Sequence, residues 1–180
     1  MALVSLEFSR RAYIADFAFY ACAAAGLLVL LALAAPRNEW LALSACAIAG
    51  VASWTLIEYL VHRFLMHGVN PIRRWHGEHH RRTTALIGSP TLIGGPLVFG
   101  LIYLPSWALT NVWYAAAITF GVLSGLVFYT ATHHAIHHWS ARTKWLQERQ
   151  RWHTLHHRLG RPVCYGVTSA FWDHVFRSAL

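Results

Sequence analysis

The sequence predicts an all-α integral membrane protein with four transmembrane helices and histidine-rich segments gathered on one membrane face. Three observations carry this. First, the chain has 180 residues, one domain's worth, of which 56% are hydrophobic and only 12% charged. Second, the apolar residues fall into four runs, each near the roughly 20 residues that cross a bilayer as a helix. Third, all but one of the thirteen histidines collect in short motifs at the ends of those runs and beyond them. The formal charge of +8 does not signal nucleic acid in so apolar a chain. It fits a membrane protein with a basic cytoplasmic face.

The spans read in order as 13–35, 40–61, 92–109 and 112–132. Only "PRNE" separates the first pair, and a bend near Thr110 separates the second, so two antiparallel hairpins are expected. Gly94, Gly95 and Gly100 in the third span are expected to permit close helix packing. The N-terminal "SRRAYIADF", with its apolar run ending "ALAAP", has the look of a twin-arginine export signal. That run is long enough to span, and it reads as a retained anchor. Trp40, Trp54, Trp107 and Trp113 suit interfacial belts. Cys22, Cys46 and Cys164 lack metal-site spacing and read as packing residues, not a disulfide framework.

Orientation follows from basic charge. Of the fifteen Lys and Arg residues, only Arg37 lies in a turn on the far side. The others precede the first span, lie between the second and third, or follow the fourth. Both termini and segments 62–91 and 133–180 are therefore expected at the cytoplasm, in a bacterial inner membrane or the endoplasmic reticulum.

All the histidine groups fall on that same side. His62 and His67 close the second span, and "HGEHH" (His76, His79, His80) follows it. "THHAIHH" closes the fourth span, and "WHTLHH" (His153, His156, His157) lies beyond. The i, i+3, i+4 spacing of the second and last groups puts each on one helix face. Imidazole is the commonest side-chain metal ligand, and two such faces with the span ends can encase more than one ion. An all-nitrogen set accessible to oxygen suits iron, while zinc, copper and nickel also bind imidazole. His62 and His67 stand five apart, so they serve different ions or straddle a helix end. Within "THHAIHH" spacing leaves two sets open, His133 with His137 and His134 with His137 or His138.

Glu58, one turn before His62, is an acidic residue inside a span and so a functional candidate. It is expected to accept the other ring N–H of a ligand histidine and fix its orientation; the plainer role is pairing with Arg63. Asp16 reads as interfacial and His174 as an ordinary polar residue. No nucleophile triad or phosphate loop competes for the chemistry.

Taken together, the motifs resemble the fatty acid hydroxylase / sterol desaturase superfamily of membrane histidine-box oxygenases. They read H-x4-H at His62 and His67, H-x2-H-H at His76, His79 and His80, H-x3-H-H at His133, His137 and His138, and H-x2-H-H at His153, His156 and His157. "TSAFWDHVF", 168–176, matches the family's closing segment, and Tyr129, four residues before His133, matches lipid 2-hydroxylases more than carotenoid hydroxylases. The resemblance implies four transmembrane helices under a cytoplasmic helical cap that holds a dimetal site, all one membrane-embedded domain. It implies two iron ions, replaceable by zinc on purification, with O2 as co-substrate. It makes His133 and His137 ligands, His138 a further ligand or partner, His134 a neighbour and Tyr129 a catalytic candidate.

The expected activity is hydroxylation of a membrane lipid or fatty-acyl chain near its polar head. Electrons would come from a separate ferredoxin or cytochrome-type donor with its reductase. A carotenoid or sterol-type hydroxylase or desaturase is the alternative enzyme. A metal transporter or sensor is the alternative without catalysis, although a transporter would place its ligands nearer mid-membrane.

Overall fold

The computed structural model describes residues 7–88, 91–159 and 162–180, and every regular element among them is helical. Helix α1 (Arg10–Ala34) begins where the Ser9 hydroxyl accepts from Ala12 N at 3.2 Å. A 3-10 turn, Arg37–Glu39, makes the tight bend into α2 (Trp40–Leu60). Helix α2 runs unbroken into a π-helical turn, Val61–Met66. Helix α3 (Ile72–Arg81) follows. The third apolar run holds Pro96 and Pro105, and it folds as α4 (Thr91–Val98), a π turn (Phe99–Tyr103) and α5 (Leu104–Leu109). A proline lacks the N–H that an α-helix needs from its interior, and a widened turn accommodates the gap. Helix α6 (Val112–His138) is capped by Asn111 Oδ1, which accepts from Trp113 N and Tyr114 N at 2.9 and 3.2 Å. Helix α7 (Lys144–Arg158) is capped by the Thr143 hydroxyl, and α8 (Phe171–Val175) is a short closing turn.

Four helical runs are long and apolar enough to cross a membrane: Arg10–Ala34, Arg37–Met66, Thr91–Leu109 and Val112–His138. The second and fourth run past the ends expected from hydropathy. At 1.5 Å per residue, the 27 residues of α6 extend about 40 Å, roughly 10 Å more than the hydrocarbon core. Histidines on these two helices are thus carried on continuous extensions of the spans, and do not sit in separate loops.

The described chain forms two compact units. One comprises Ser9–Trp54 and Gly88–Val127. Tyr20, Ala24 and Leu123 are buried in it with Leu27, Val98 and Phe120 packed around them, and Ala35, Leu43 and Ala117 form a second cluster with Leu31 and Trp113. Helices α2 and α6 approach closely in it, where a Cβ on Gly50 would lie 2.4 Å from Ile118 O and one on Gly121 would lie 2.1 Å from Ala47 O. Of the glycines expected to serve packing, Gly94 lies under the Tyr20 phenol, whereas a Cβ on Gly100 would meet nothing within 4 Å. Asp16 accepts from the backbone N–H of Thr91 at 2.7 Å and from its hydroxyl, capping α4. Leu33, Leu41, Leu92 and Leu109 remain 83–89% exposed. Such outward apolar faces are stable against lipid, not water, and the protein is integral to the membrane.

The other unit centres on Thr55–Ile87 and Phe128–Leu180: the ends of α2 and α6 with α3, α7, α8 and the segment after α7. Its interior is rich in polar groups beside the buried Tyr59, Cys164 and Val167. His62, His79, His153, His156, Glu58 and Asp173 are all at most 4% exposed.

Candidate metal centre

Ten histidines of this second unit fall into two sets of five. In the first, the ring centroids of His62, His76, His80 and His156 form a square, with sides of 4.9, 4.7, 4.8 and 4.6 Å and a His76–His156 diagonal of 6.4 Å. His67 stands over it, 4.6–5.2 Å from all four. In the second, His79, His133, His153 and His157 make the square, with sides of 4.7, 4.9, 4.5 and 5.0 Å and a His79–His153 diagonal of 6.4 Å. His137 is its apex, 4.7–5.1 Å from each. His80 and His157 stack at 4.0 Å where the sets meet.

The nitrogens inside each set are too close for hydrogen bonding to explain. His76 Nε2 lies 3.1 Å from His62 Nε2, 3.1 Å from His67 Nε2 and 3.0 Å from His80 Nε2. One ring nitrogen carries at most one proton or one lone pair, so it cannot satisfy three partners. His153 Nε2 has the same problem with His137 and His157, both at 2.9 Å. A cation resolves it. Imidazoles bind zinc at about 2.0–2.1 Å, so two nitrogens at right angles around such an ion stand about 3.0 Å apart. The residues present therefore fit metal binding: the ligand nitrogens of His62, His67, His76, His80 and His156 lie within 4.8 Å of one another, as do those of His79, His133, His137 and His153, with His157 Nε2 2.9 Å from His153 Nε2.

Helix geometry explains how the boxes feed both sets. On α3, His76 and His80 (i, i+4) enter the first set while His79 enters the second. On α7 the assignment is reversed, with His153 and His157 in the second set and His156 in the first. His62 and His67 enter the same set despite standing five apart. The π turn over Val61–Met66, whose hydrogen bonds run i to i+5, brings them round to one side, with His67 at its end.

Burial, and after it the neighbouring imidazoles, depress the ring pKa values outside the spans: to about 4 for His67 and His79, about 3 for His80 and about 2 for His157. These rings are neutral near pH 7, which is the state that offers a lone pair to a metal.

Two of these rings are held from behind. His62 Nδ1 donates to Tyr165 O at 2.6 Å, and His156 Nδ1 donates to Val163 O at 2.8 Å. A carbonyl only accepts, so both rings carry their proton on Nδ1 and present Nε2 to the site. Between these carbonyls Cys164 adopts φ 57°, a left-handed conformation rare for a residue with a Cβ. The next four amides are gripped by two buried carboxylates. Asp173 accepts from Tyr165 N and Gly166 N, both at 2.8 Å. Glu58 accepts from Val167 N at 2.7 Å, Thr168 N at 2.9 Å and the Thr168 hydroxyl at 2.6 Å.

Glu58 thus faces the backbone segment behind His62. Its oxygens take these amides and this hydroxyl in place of a histidine ring, because peptide carbonyls already occupy the Nδ1 atoms of His62 and His156. Glu58→Ala should leave buried donors without acceptors at about 1–3 kcal/mol each. Glu58→Gln keeps an oxygen for both amides and offers Thr168 an N–H donor, so it should lose only about 1 kcal/mol. Thermal unfolding of the purified variants checks that ordering.

A model of the fatty acid hydroxylase family matches residues 47–178 of this sequence. The chain belongs to this family. Dihydroceramide fatty acyl 2-hydroxylase FAH2 of Arabidopsis thaliana is 32% identical to it over 139 residues, 71% of this chain and 57% of that protein. Ceramide very long chain fatty acid hydroxylase scs7 of Schizosaccharomyces pombe is 35% identical over 144 residues, 72% of this chain and 40% of that protein. The chain thus spans about half the length of these relatives. A solved structure of full-length scs7p, with only the hydroxylase domain visible, superposes with a TM-score of 0.80 at 25% identity, covering 94% of this chain and 67% of that one.

Beside the two cages, this fatty acid hydroxylase family member places the remaining candidates as follows. Tyr129 stacks on His133, with centroids 5.8 Å apart and planes 11° apart. His138, expected as a further ligand, lies outside both sets and stacks on His134 at 4.4 Å. On α6, His133 and His137 share one face, and the next residue round points about 100° away. His174 packs its ring against Trp152 at 5.6 Å. Asp173, 0% exposed, is the functional residue that sequence reasoning misses; an acidic residue within the apolar "AFWDHVF" is the available signal.

Proposed function

We propose that this chain is an O2-dependent hydroxylase of the fatty-acyl chain of a membrane lipid, acting through two iron ions near the lipid's polar head. The observation that carries the reading is the pair of five-imidazole cages within a fatty acid hydroxylase family member. Relatives named as ceramide and fatty acid 2-hydroxylases favour an acyl substrate over a carotenoid or sterol. Ligands gathered in one unit favour catalysis over a transport path.

When bound, the irons supply reductive activation of O2, with the net change R–H + O2 + 2 e− + 2 H+ → R–OH + H2O. The chain's residues hold the ions, fix the ring tautomers and exclude water. His62, His67, His76, His80 and His156 serve one ion, and His79, His133, His137, His153 and His157 the other. Tyr129, against His133, is assigned to meet the substrate. Glu58 holds the segment behind His62. A ferredoxin or cytochrome-type donor supplies the electrons. The excess of basic residues around the histidine segments favours a cytoplasmic position for this unit.

Lipid profiling of a host with and without the gene, under 18O2, tests this. The expected product is an acyl lipid with one 18O hydroxyl. Absence of any labelled hydroxylated lipid in an iron-replete host with an active reductase overturns the reading.

A further inference from the structure

The two cages share a donor set but differ in what stands behind it. In the His62 set, two ligands donate Nδ1–H to peptide carbonyls of one segment, Val163 O and Tyr165 O. That segment is itself locked by Asp173 and Glu58, and Cys164 N is tied to Ser178 O at 2.8 Å. Ser178 is held in turn, donating its hydroxyl to Asp173 at 2.7 Å and standing 2.8 Å from the Tyr59 hydroxyl. The His79 set has the opposite character. The Nδ1 atoms of His79, His153 and His157 are buried without an acceptor among the described residues.

An acceptor on the far nitrogen raises the basicity of an imidazole and fixes its aim, and losing one commonly costs about 10–100-fold in metal affinity. Buried N–H groups without protein acceptors rely on water or stay unsatisfied, and their rings lack the hydrogen bond that fixes a ligand's aim. We propose that the two metal positions are unequal: the His62 cage is the tight, permanently filled position and the His79 cage the exchangeable one. Asp173 acts as a positioning residue for the tight position, gripping the amides of the segment whose carbonyls aim the ligand rings. This rests on the reading that both cages bind metal.

The test uses the full-length protein in detergent, saturated with Zn(II), which binds imidazole without redox complications. Bound zinc per chain is measured across a graded EDTA series. The expected result is loss in two steps, with a plateau at one ion per chain and midpoints at least about tenfold apart in free zinc. His79→Ala should retain the tight step and weaken or abolish the loose one. Asp173→Asn should shift the tight step by about tenfold and leave the loose one in place, erasing the plateau. Loss of both ions in one step overturns the proposal, as does a His79→Ala protein that keeps only the loose step. These two measurements decide the order even where Asp173→Asn does not fold. Saturation below two ions per chain overturns the two-metal reading itself, a result separate from simultaneous loss.

Discussion

His79→Ala should abolish product formation, lowering hydroxylated lipid by at least about 100-fold, the upper end of what loss of even an outer hydrogen bond to a ligand costs. His79 is the only α3 residue in the second cage, where its ring lies 4.7 Å from both His133 and His137. Its removal severs that cage from α3 while leaving His76 and His80 in the other. Quantitative lipid analysis beside immunoblotting of membrane-inserted protein separates lost chemistry from lost protein. His138→Ala is the comparison, because that ring stacks on His134 outside both cages, and it should retain most of the product. Equal activity of His79→Ala and the parent would sink the catalytic role of the second cage.

Metal removal should destabilise the histidine unit more than Glu58→Gln or His138→Ala does. A ligand bound at about 1,000 times its Kd stabilises a fold by about 4 kcal/mol, and two ions act together. At about 2–4 °C per kcal/mol for a chain of this size, stripping one ion should lower Tm by about 10 °C and stripping both by more. The reason is local. The unit buries imidazoles where other proteins bury hydrocarbon, and buried polar atoms without partners are costly. Differential scanning of the chelated and metal-replete protein measures the shift, with restoration by added metal as the control. A chelated protein that unfolds at the same temperature as the metal-replete one would show that packing alone holds the rings in place.

Much of the fold and site is legible in the sequence because two strong periodicities coincide. Apolar runs give the spans, and i, i+3, i+4 histidines give helical ligand faces; the ten rings in the cages all belong to the four boxes. What escapes depends on details with no local signature. The π turn at Val61–Met66 has no glycine or proline to announce it, so the five-residue gap between His62 and His67 looks like two faces. The partners of Glu58 lie 109 and 110 residues away, beyond the reach of any short pattern. Asp173 stands inside a segment that matches the family, but its role depends on amides whose positions only the tertiary fold supplies. His138 closes the third box in sequence while its ring stacks on His134, because a box written in one dimension does not show which way a helix turns.

The segment that follows α7 also sets an order of events during synthesis. It supplies the carbonyls behind His62 and His156, and its contacts with α2 span more than a hundred residues, as in the 103 separating His62 from Tyr165. Such distant pairings form slowly and late. While the ribosome is still making α7, the membrane helices can already be inserted and the α3 rings already waiting. The first cage, however, has no backing until the chain beyond Val163 arrives. On the two-metal reading, the His62 position therefore tightens only once the segment after α7 has been made.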